Sequence, residues 1–560
     1  MVSSTLVDAL YYPTHALEEI YIESDRFAFP ALVSSHFSAI FASHEAFSEI
    51  PAIESIDPRS ATTAAERRLV YFRAMVQDTS PAPEMYLTRR SGGRCGGWGL
   101  ADDDEGDVNY TDLAECTVVW AVSLPGESPW VAQELDGDAN KERVEMPESH
   151  PHKYPVPSTP HLGVQVKVYD MSMELRATDA VTFVGIYSME PLTASLDLPT
   201  LLLVPTLHVL FARPLPLTLV PRVFPVPDAK EELRAELIAW LADTALASDL
   251  HAAEWVVLAI ISRVHSRTPP LLPLSLTLSR FPSPAIEPSE PRLALALSRL
   301  LPLLTYLPLS LDALNNTSFA PASKPTPSPF NSTSEQWEGG AADELHSGRL
   351  QLPRGSVLLI SAHGMREGKV NERGLANLRA LQEVLTSQSL DYVFPFSRFA
   401  FETDVVGLVT AEGEGGALVQ TSTTVPLVPS TSSNAASDIE DRIGALSLSD
   451  PASANKLYAA SGEEMQLPPP AKFAAFRALL GGAKAGGVKI GEGVGEHIQS
   501  SFVAERKQDN SVTAEDLMHR IAVARLMTLS LHQSEVTVEV WERVRELEEV
   551  RRARVAAGKN

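Results

Sequence analysis

The hydrophobic pattern changes period along the chain, and its most organised stretch is 349–427. Residues 357–360, after Pro353 and Gly355, form a continuous apolar run suited to a strand buried on both faces. Leu375, Leu378, Leu381 and Leu385 follow Gly374 at helical spacing. Residues 394–409 then mix aromatic alternation (Phe394, Phe396, Phe399, Phe401) with a second apolar run at 405–409. Strand, crossover helix and strand predict an α/β core.

A different texture precedes it. Residues 1–66 carry helical patches such as Phe37, Ile40, Phe41 and Phe47, read as a helical lead-in. Strand candidates follow at 69–76, 116–124, 164–169, 181–187 and 207–211, with Val164, Val166 and Val168 alternating. Five strands in this order predict a small closed or half-closed OB-like β-barrel over 67–220. The insert between the first two is Gly-rich and acidic (Asp102, Asp103, Asp104, Glu105, Asp107) and reads as a solvated loop. After Pro227 the period approaches four: Asp228 and Glu231 resemble a capping box, and Leu233, Leu237, Trp240 and Leu241 share a helical face. Residues 252–261 are apolar almost all round, which implies an enclosed helix. The Leu/Pro-rich 269–308 reads as short strands and helices. Polar, Ser/Thr/Pro-rich composition predicts disordered inserts at 315–340 and 421–470. Near the C-terminus, Thr513 with Asp516 forms a capping box over a stripe of Leu517, Ile521 and Ala524. Thr537 opens another helix, with Val540, Val544 and Leu547 inward and Glu548 four residues before Arg552. Together 471–560 predict a helical lid.

Composition narrows the function classes. At 560 residues the chain is long enough for several domains, and 46 basic against 71 acidic side chains leave a net charge of -25. Phosphate contact needs a basic surface, so unaided nucleic-acid binding is disfavoured. Along the strand candidates cations such as Lys167, with Arg176 between two of them, are sparse, whereas single strands need aromatics interleaved with cations. Cys95 and Cys116 are too few for a disulfide framework and suggest a reducing intracellular compartment. The start of the chain lacks the basic and apolar regions of a signal peptide. Residues 198–220 are interrupted by Pro205, His208, Arg213, Pro214 and Pro216, which a membrane-spanning helix would not hold; they read as strand plus loop. The Asn-x-Ser/Thr matches at Asn315, Asn316 and Asn331 fall in a Ser/Pro-rich stretch and carry little without secretion.

Motif chemistry comes back empty. A phosphate loop needs G-x-x-x-x-G-K-[ST]; the nearest approach, 482–488, misplaces Lys484 and follows Gly487 with Val488. Gly491, Gly493 and Gly495 read as a loop without a preceding strand. Where an ATPase would end its strand with an acidic pair to hold magnesium, this chain has Ser361 and Ala362. Ser361 with His363 does not make a nucleophile elbow, and residues two apart on a strand stand roughly 7 Å apart. His150, His152 and His161 lie among prolines without acidic or Cys ligands at metal spacing. Arg551, Arg552, Arg554 and Lys559 read as a solvated helix end rather than a targeting patch. No catalytic, cofactor-binding or metal residue is therefore nominated and no cofactor expected; the partner-binding surface stays open.

A set of collinear segments adds what motifs do not. These are Phe72-Arg-Ala-Met-Val-Gln-Asp78, Leu113-Ala-Glu-Cys116, Leu124-Pro-Gly-Glu-Ser-Pro-Trp-Val131, Val166-Lys-Val-Tyr169, Val184-Gly-Ile186 and Val204-Pro-Thr-Leu-His-Val-Leu210. They continue in Arg234-Ala-Glu-Leu237, Ala253-Glu-Trp255, Ile261-Ser-Arg-Val264, Leu350-Gln-Leu-Pro353 and the 513–525 helix. In order and spacing the chain resembles the mini-chromosome maintenance (MCM) complex-binding protein family. The resemblance implies a multidomain α+β and α/β chain: an OB-like barrel, a degenerate AAA-like α/β region over 228–420, and the helical lid. It also implies a nuclear, non-enzymatic regulator of DNA replication. Such a protein associates with MCM helicase subunits, supports their assembly, supply and removal from chromatin, and is linked to the cell cycle and sister-chromatid cohesion. Ser361 and Ala362 depart from the acidic pair of the helicase relatives, which puts residual nucleotide binding in doubt. An OB-fold nucleic-acid-binding factor acting at replication forks is the alternative, and a cryptic ATPase a third reading without a nominated residue.

Overall fold

The structure, a computed structural model, describes residues 4–23, 28–56, 68–89, 95–100, 109–131, 150–157, 159–192, 203–215, 223–226, 231–284, 289–325, 343–365, 367–413, 418–429, 457–458, 465–491, 493–508 and 512–557. It is a mixed α/β molecule with several sheets. The acidic insert, Asp228, Asn331 and Lys559 lie outside the described residues.

Helices α1 (Ser4–Tyr11), α2 (Pro13–Glu23), α3 (Phe29–Ile40) and α4 (His44–Ser48) open the chain. They are followed by strands β1 (Leu69–Asp78), β2 (Glu84–Leu87), β3 (Leu113–Ser123), β4 (Gly163–Val168), β5 (Ala180–Pro191) and β6 (Leu203–Pro214). Within the sheet order β1-β5-β6-β4-β3-β2, β1 also pairs with β3, so five strands close on themselves. Closure removes free sheet edges. Only β4 and β6 run parallel among these five. Period-two alternation decides which side chains face inward. Val70, Phe72, Ala74 and Val76 of β1 meet Val164, Val166 and Val168 inside the barrel. Leu69 and Tyr71 point outward beneath the N-terminal helices. Those helices pack on the outside of the barrel. Phe29, Val33 and Phe37, four residues apart on α3, share the outer core, and Phe41 stacks on Phe211 of β6 at 6.2 Å.

Next come α5 (Glu231–Ala245), α6 (Leu250–Ile260), β7 (Ser266–Arg267), β8 (Pro270–Leu271), β9 (Leu276–Ser279), α7 (Arg292–Leu300) and β10 (Leu304–Ser310). They lead to α8 (Leu311–Asn316), β11 (Ala322–Pro325), β12 (Asp343–His346), β13 (Ser356–Gly364), α9 (Glu372–Ser387), β14 (Ser389–Val393), β15 (Arg398–Glu402), β16 (Val405–Thr410) and β17 (Thr423–Pro426). The described elements end with α10 (Pro470–Ala485), β18 (Lys489–Ile490), α11 (Val494–Gln508), α12 (Ala514–Ser530), β19 (Glu535–Val536) and α13 (Val538–Ala557). Strands β10-β13-β16-β9-β17 form one sheet, parallel throughout. Burial on both faces explains the continuous apolar run in β13. Val357 and Leu359 enter the core shared with α5, α6, α7 and α10. Leu358 and Ile360 face the opposite core, with Leu381, Val384 and Leu385 of α9. α9 comes so close to β16 that a Cβ on Gly407 would stand 2.0 Å from Leu385.

Several sequence expectations change. Residues 394–409 are not one strand: the chain turns at 394–397, so β14 and β15 form a hairpin beside β11 and β12, and Phe396 at its tip is fully exposed. The stretch 315–340 begins inside α8 and includes β11; 421–470 begins with β17, the edge strand beside β9. A polar run of Thr and Ser reads as disorder, yet Thr423 is buried, because a parallel edge strand is fixed by its ladder rather than by apolar periodicity. The glycine run after 490 does follow a strand, the two-residue β18, and Gly495 lies within α11. The Thr513 capping box forms as expected. Glu548 pairs with Arg551 and His519 rather than with Arg552, which reaches Asp516. Of the C-terminal helices, Val523, Trp541 and Val544 join the same core as Leu276 and Leu359.

Candidate functional site

Open parallel sheets bind ligands outside the C-terminal ends of their strands, where the strand connections diverge. Here that point falls between β9, from which the chain crosses to β10, and β16, from which it returns to β17. Four segments meet at this mouth: the loop after β9, the N-terminus of α7, the end of β13 and the end of β16. Ser361 is buried, opposite Pro308 on one side and Thr410 on the other. His363 lies two residues further on, and among the described residues neither ring nitrogen has a hydrogen-bond partner. Ser361 and His363 are therefore not coupled as nucleophile and base. Burial pushes the His363 pKa down against the pull of Glu412, which favours a neutral ring. Glu412, beyond β16, accepts a hydrogen bond from Ser283 at 2.8 Å.

The loop after β9 fills the space. Arg280 sits at φ +57°, and Phe281 is wholly buried, its N–H donating to the Ala411 carbonyl at 2.9 Å. Phe281, His363 and Tyr458 form an aromatic cluster with ring centroids 5.8–6.3 Å apart. A phosphate cradle would need glycines that expose backbone N–H groups. This loop offers Phe281 and Pro282 instead. Lys484, the lysine of the nearest phosphate-loop match, is far from any phosphate role: it is buried on α10, donates to the Gly355 carbonyl at 2.7 Å, and burial pushes its pKa down to about 8.

The histidines suggested by sequence separate. His161 stacks on Tyr154 at 4.2 Å. His150 and His152 approach His346 and Glu344 of β12, with His152 Nε2 2.8 Å from Glu344 and its ring 4.3 Å from that of His346. Burial pushes His346 down to about 4 and lowers His150 as well. His346 escaped the sequence reading because it lies 194 positions beyond His152; the only local signal is Glu344 and His346 alternating on one strand face. No group of three His, Cys, Asp or Glu among the described residues could hold a metal ion. Cys95 and Cys116 are free and buried.

The outer face of the barrel is equally occupied. Lys167 donates to Glu84 at 2.6 Å and to Glu190 at 2.7 Å. Burial works against its charge, but the two carboxylates raise its pKa overall. Trp98 stacks on Tyr169 at 4.2 Å and donates to the Val209 carbonyl, so these aromatics are spent on the core. Of the C-terminal arginines, Arg551 pairs with Glu548, Arg552 with Asp516, and Arg554 with Asp249. No helix among the described residues is long and apolar enough to cross a membrane.

Fold and site thus define a mixed α/β protein, a closed barrel joined to a parallel sheet, whose ligand-side mouth is filled by its own side chains. A family model described as "Mini-chromosome maintenance replisome factor" matches residues 137–555. The chain belongs to that family. Among its relatives, the mini-chromosome maintenance complex-binding protein of Salmo salar is 26% identical, covering 88% of this chain and 89% of its own. That of Arabidopsis thaliana is 24% identical over 93% and 92%, and the Homo sapiens protein 25% over 72% and 63%.

Proposed function

We propose that this chain is a non-enzymatic binding protein for MCM helicase subunits. It acts in the nucleus during DNA replication, supports the assembly and supply of the subunits and their removal from chromatin, and is linked to sister-chromatid cohesion. In this reading the five-stranded barrel is of OB type and the parallel sheet is AAA-like, with its first strand flanked by the fourth and fifth. The names of its relatives support the choice of partner. The observation that carries the reading is the mouth of the sheet, laid out like a ligand site but closed by Phe281, His363 and Tyr458. The molecule presents a subunit-like shape without the motor, and so occupies a subunit's place while leaving hydrolysis undone.

Co-purification tests this directly. MCM subunits should associate with the full chain under conditions where they associate with one another; if they ignore it, the reading fails. The alternative, single-strand binding by the barrel, predicts a salt-sensitive complex. The pairing of Lys167 with two carboxylates weighs against it.

A further inference from the structure

The mouth of the parallel sheet is closed partly by residues far away in sequence. Leu457 and Tyr458 come from the long polar stretch after β17, yet Leu457 is wholly buried and Tyr458 nearly so. They are held by the means used to recognise a peptide. Tyr458 forms an antiparallel bridge with Pro291, at the N-terminus of α7. Its carbonyl accepts from Arg292 Nε at 3.1 Å, from a residue 166 positions earlier. Its hydroxyl donates to the Pro282 carbonyl at 2.8 Å, in the loop after β9. Its ring packs edge-on against Phe281 and His363 at 5.9 and 6.3 Å, and Leu457 and Tyr458 both join the core around Leu293 and Leu297.

We propose that this mouth is a peptide-binding site, that its ligand is a short apolar–aromatic segment, and that the chain supplies that ligand itself as Leu457 and Tyr458. Backbone pairing gives affinity and two side-chain positions give specificity, the division of labour seen where an extended peptide is captured. A ligand carried on the same chain has a high effective concentration, so few contacts suffice to hold it. The segment does at this mouth what a small ligand does at others: it ties the loop after β9 to α7 and to the end of β13. The proposal stands whether or not MCM subunits are the partner.

The test uses the full chain with two protease sites inserted, one within 440–450 and one within 460–464, cut after folding so that no variant has to fold without the segment. The released fragment should co-elute with the remainder. Excess synthetic peptide 452–463 should displace it, whereas the same peptide carrying Leu457→Ala and Tyr458→Ala should be at least about tenfold weaker as a competitor. A labelled 452–463 peptide should likewise bind the cut, fragment-free chain and bind the uncut chain at least about tenfold more weakly, because the tethered copy blocks the site. Three results would overturn the proposal. The fragment could leave on cleavage without change in thermal stability, which makes the contact incidental. It could resist exchange with any peptide, which makes it an ordinary part of the core. Or the inserted sites could stay uncut in the folded chain, which leaves no tether around a docked pair.

Discussion

Asp249 shows how much one side chain can organise. It caps α6 by accepting from the Ala252 N–H at 3.1 Å, accepts from the Val428 N–H at 2.8 Å, and receives both terminal nitrogens of Arg554 at 2.7 and 3.1 Å. Asp249 is buried and Arg554 partly buried, so losing this bidentate pair together with the α6 cap is destabilising by about 2–4 kcal/mol, short of a fully buried pair. Asp249→Ala should therefore lower unfolding free energy by about that amount, measured by chemical denaturation. Titration gives a second prediction at this scale. His251 accepts from Trp255 Nε1 at 3.2 Å, and burial pushes its pKa from 6.5 down to about 4; His346 is lowered to about 4 as well. A histidine held neutral in the folded chain binds its proton at lower pH than in the unfolded one, so the unfolded state takes up more protons between these values. Stability should then be unaffected by these groups above about 6.5 and fall as pH drops from 6.5 towards 4. Denaturation at pH 7 and pH 5 measures the slope, and His251→Gln should flatten it. Glu548 acts in a lower window: burial favours its neutral form, but His519 and Arg551 outweigh that and hold it at about 2, so its contribution is lost only below about 4.5.

At the scale of elements, the segment after β3 is a joint. Gly126 accepts from the Leu304 N–H at 2.8 Å, Ser128 donates its hydroxyl to the Leu301 carbonyl at 2.6 Å, and Trp130 donates to Ser298 at 3.0 Å beneath the Arg477 guanidinium. Gly126 has φ +74°, and a Cβ there would stand 2.6 Å from Thr305 Oγ1 and 2.7 Å from the Leu304 carbonyl. Gly126→Ala should cost more than about 1 kcal/mol, read as a lower denaturation midpoint. The peptide 124–131 was visible in sequence as part of a family resemblance, but its role was not, because a joint has no period. Elements with a strong period were legible: the Val164, Val166, Val168 alternation is a barrel strand, and the Thr513 box starts α12. Two kinds of feature were hidden. Leu457 and Tyr458 are two apolar residues in a polar stretch, too short for any periodicity, and among the described residues they are held by the mouth they enter. His346 and Glu344 reach His152 through the pairing of distant segments, which local spacing does not encode. The Glu548 pairing was misread because helical spacing permits both the third and the fourth neighbour, and Asp516 on α12 draws Arg552 away.

For the molecule as a whole, the closed mouth sets an expectation for nucleotides. A ligand that binds the folded state raises its stability in proportion to the logarithm of its concentration over its dissociation constant. Magnesium–ATP at about 1 mM should therefore leave the thermal midpoint unchanged to within about 1 °C, because Phe281 and Tyr458 stand where a bound phosphate would need backbone N–H groups. A larger shift, checked by calorimetry, would require the mouth to open.

The ion pair between Arg554 and Asp249 also sets a clock. Core residues that meet β9 come from as far along as Trp541 and Val544, and the cap of α6 is completed only by α13. During synthesis at about 5–20 residues per second, the ribosome needs on the order of 15–60 s to pass from β9 to α13. Throughout that interval the barrel can close, while the core around β9, with α5, α6 and α7 on it, still lacks Trp541 and Val544. The sheet half of a nascent chain therefore depends on whatever shields apolar surface in the cell, and the barrel half does not.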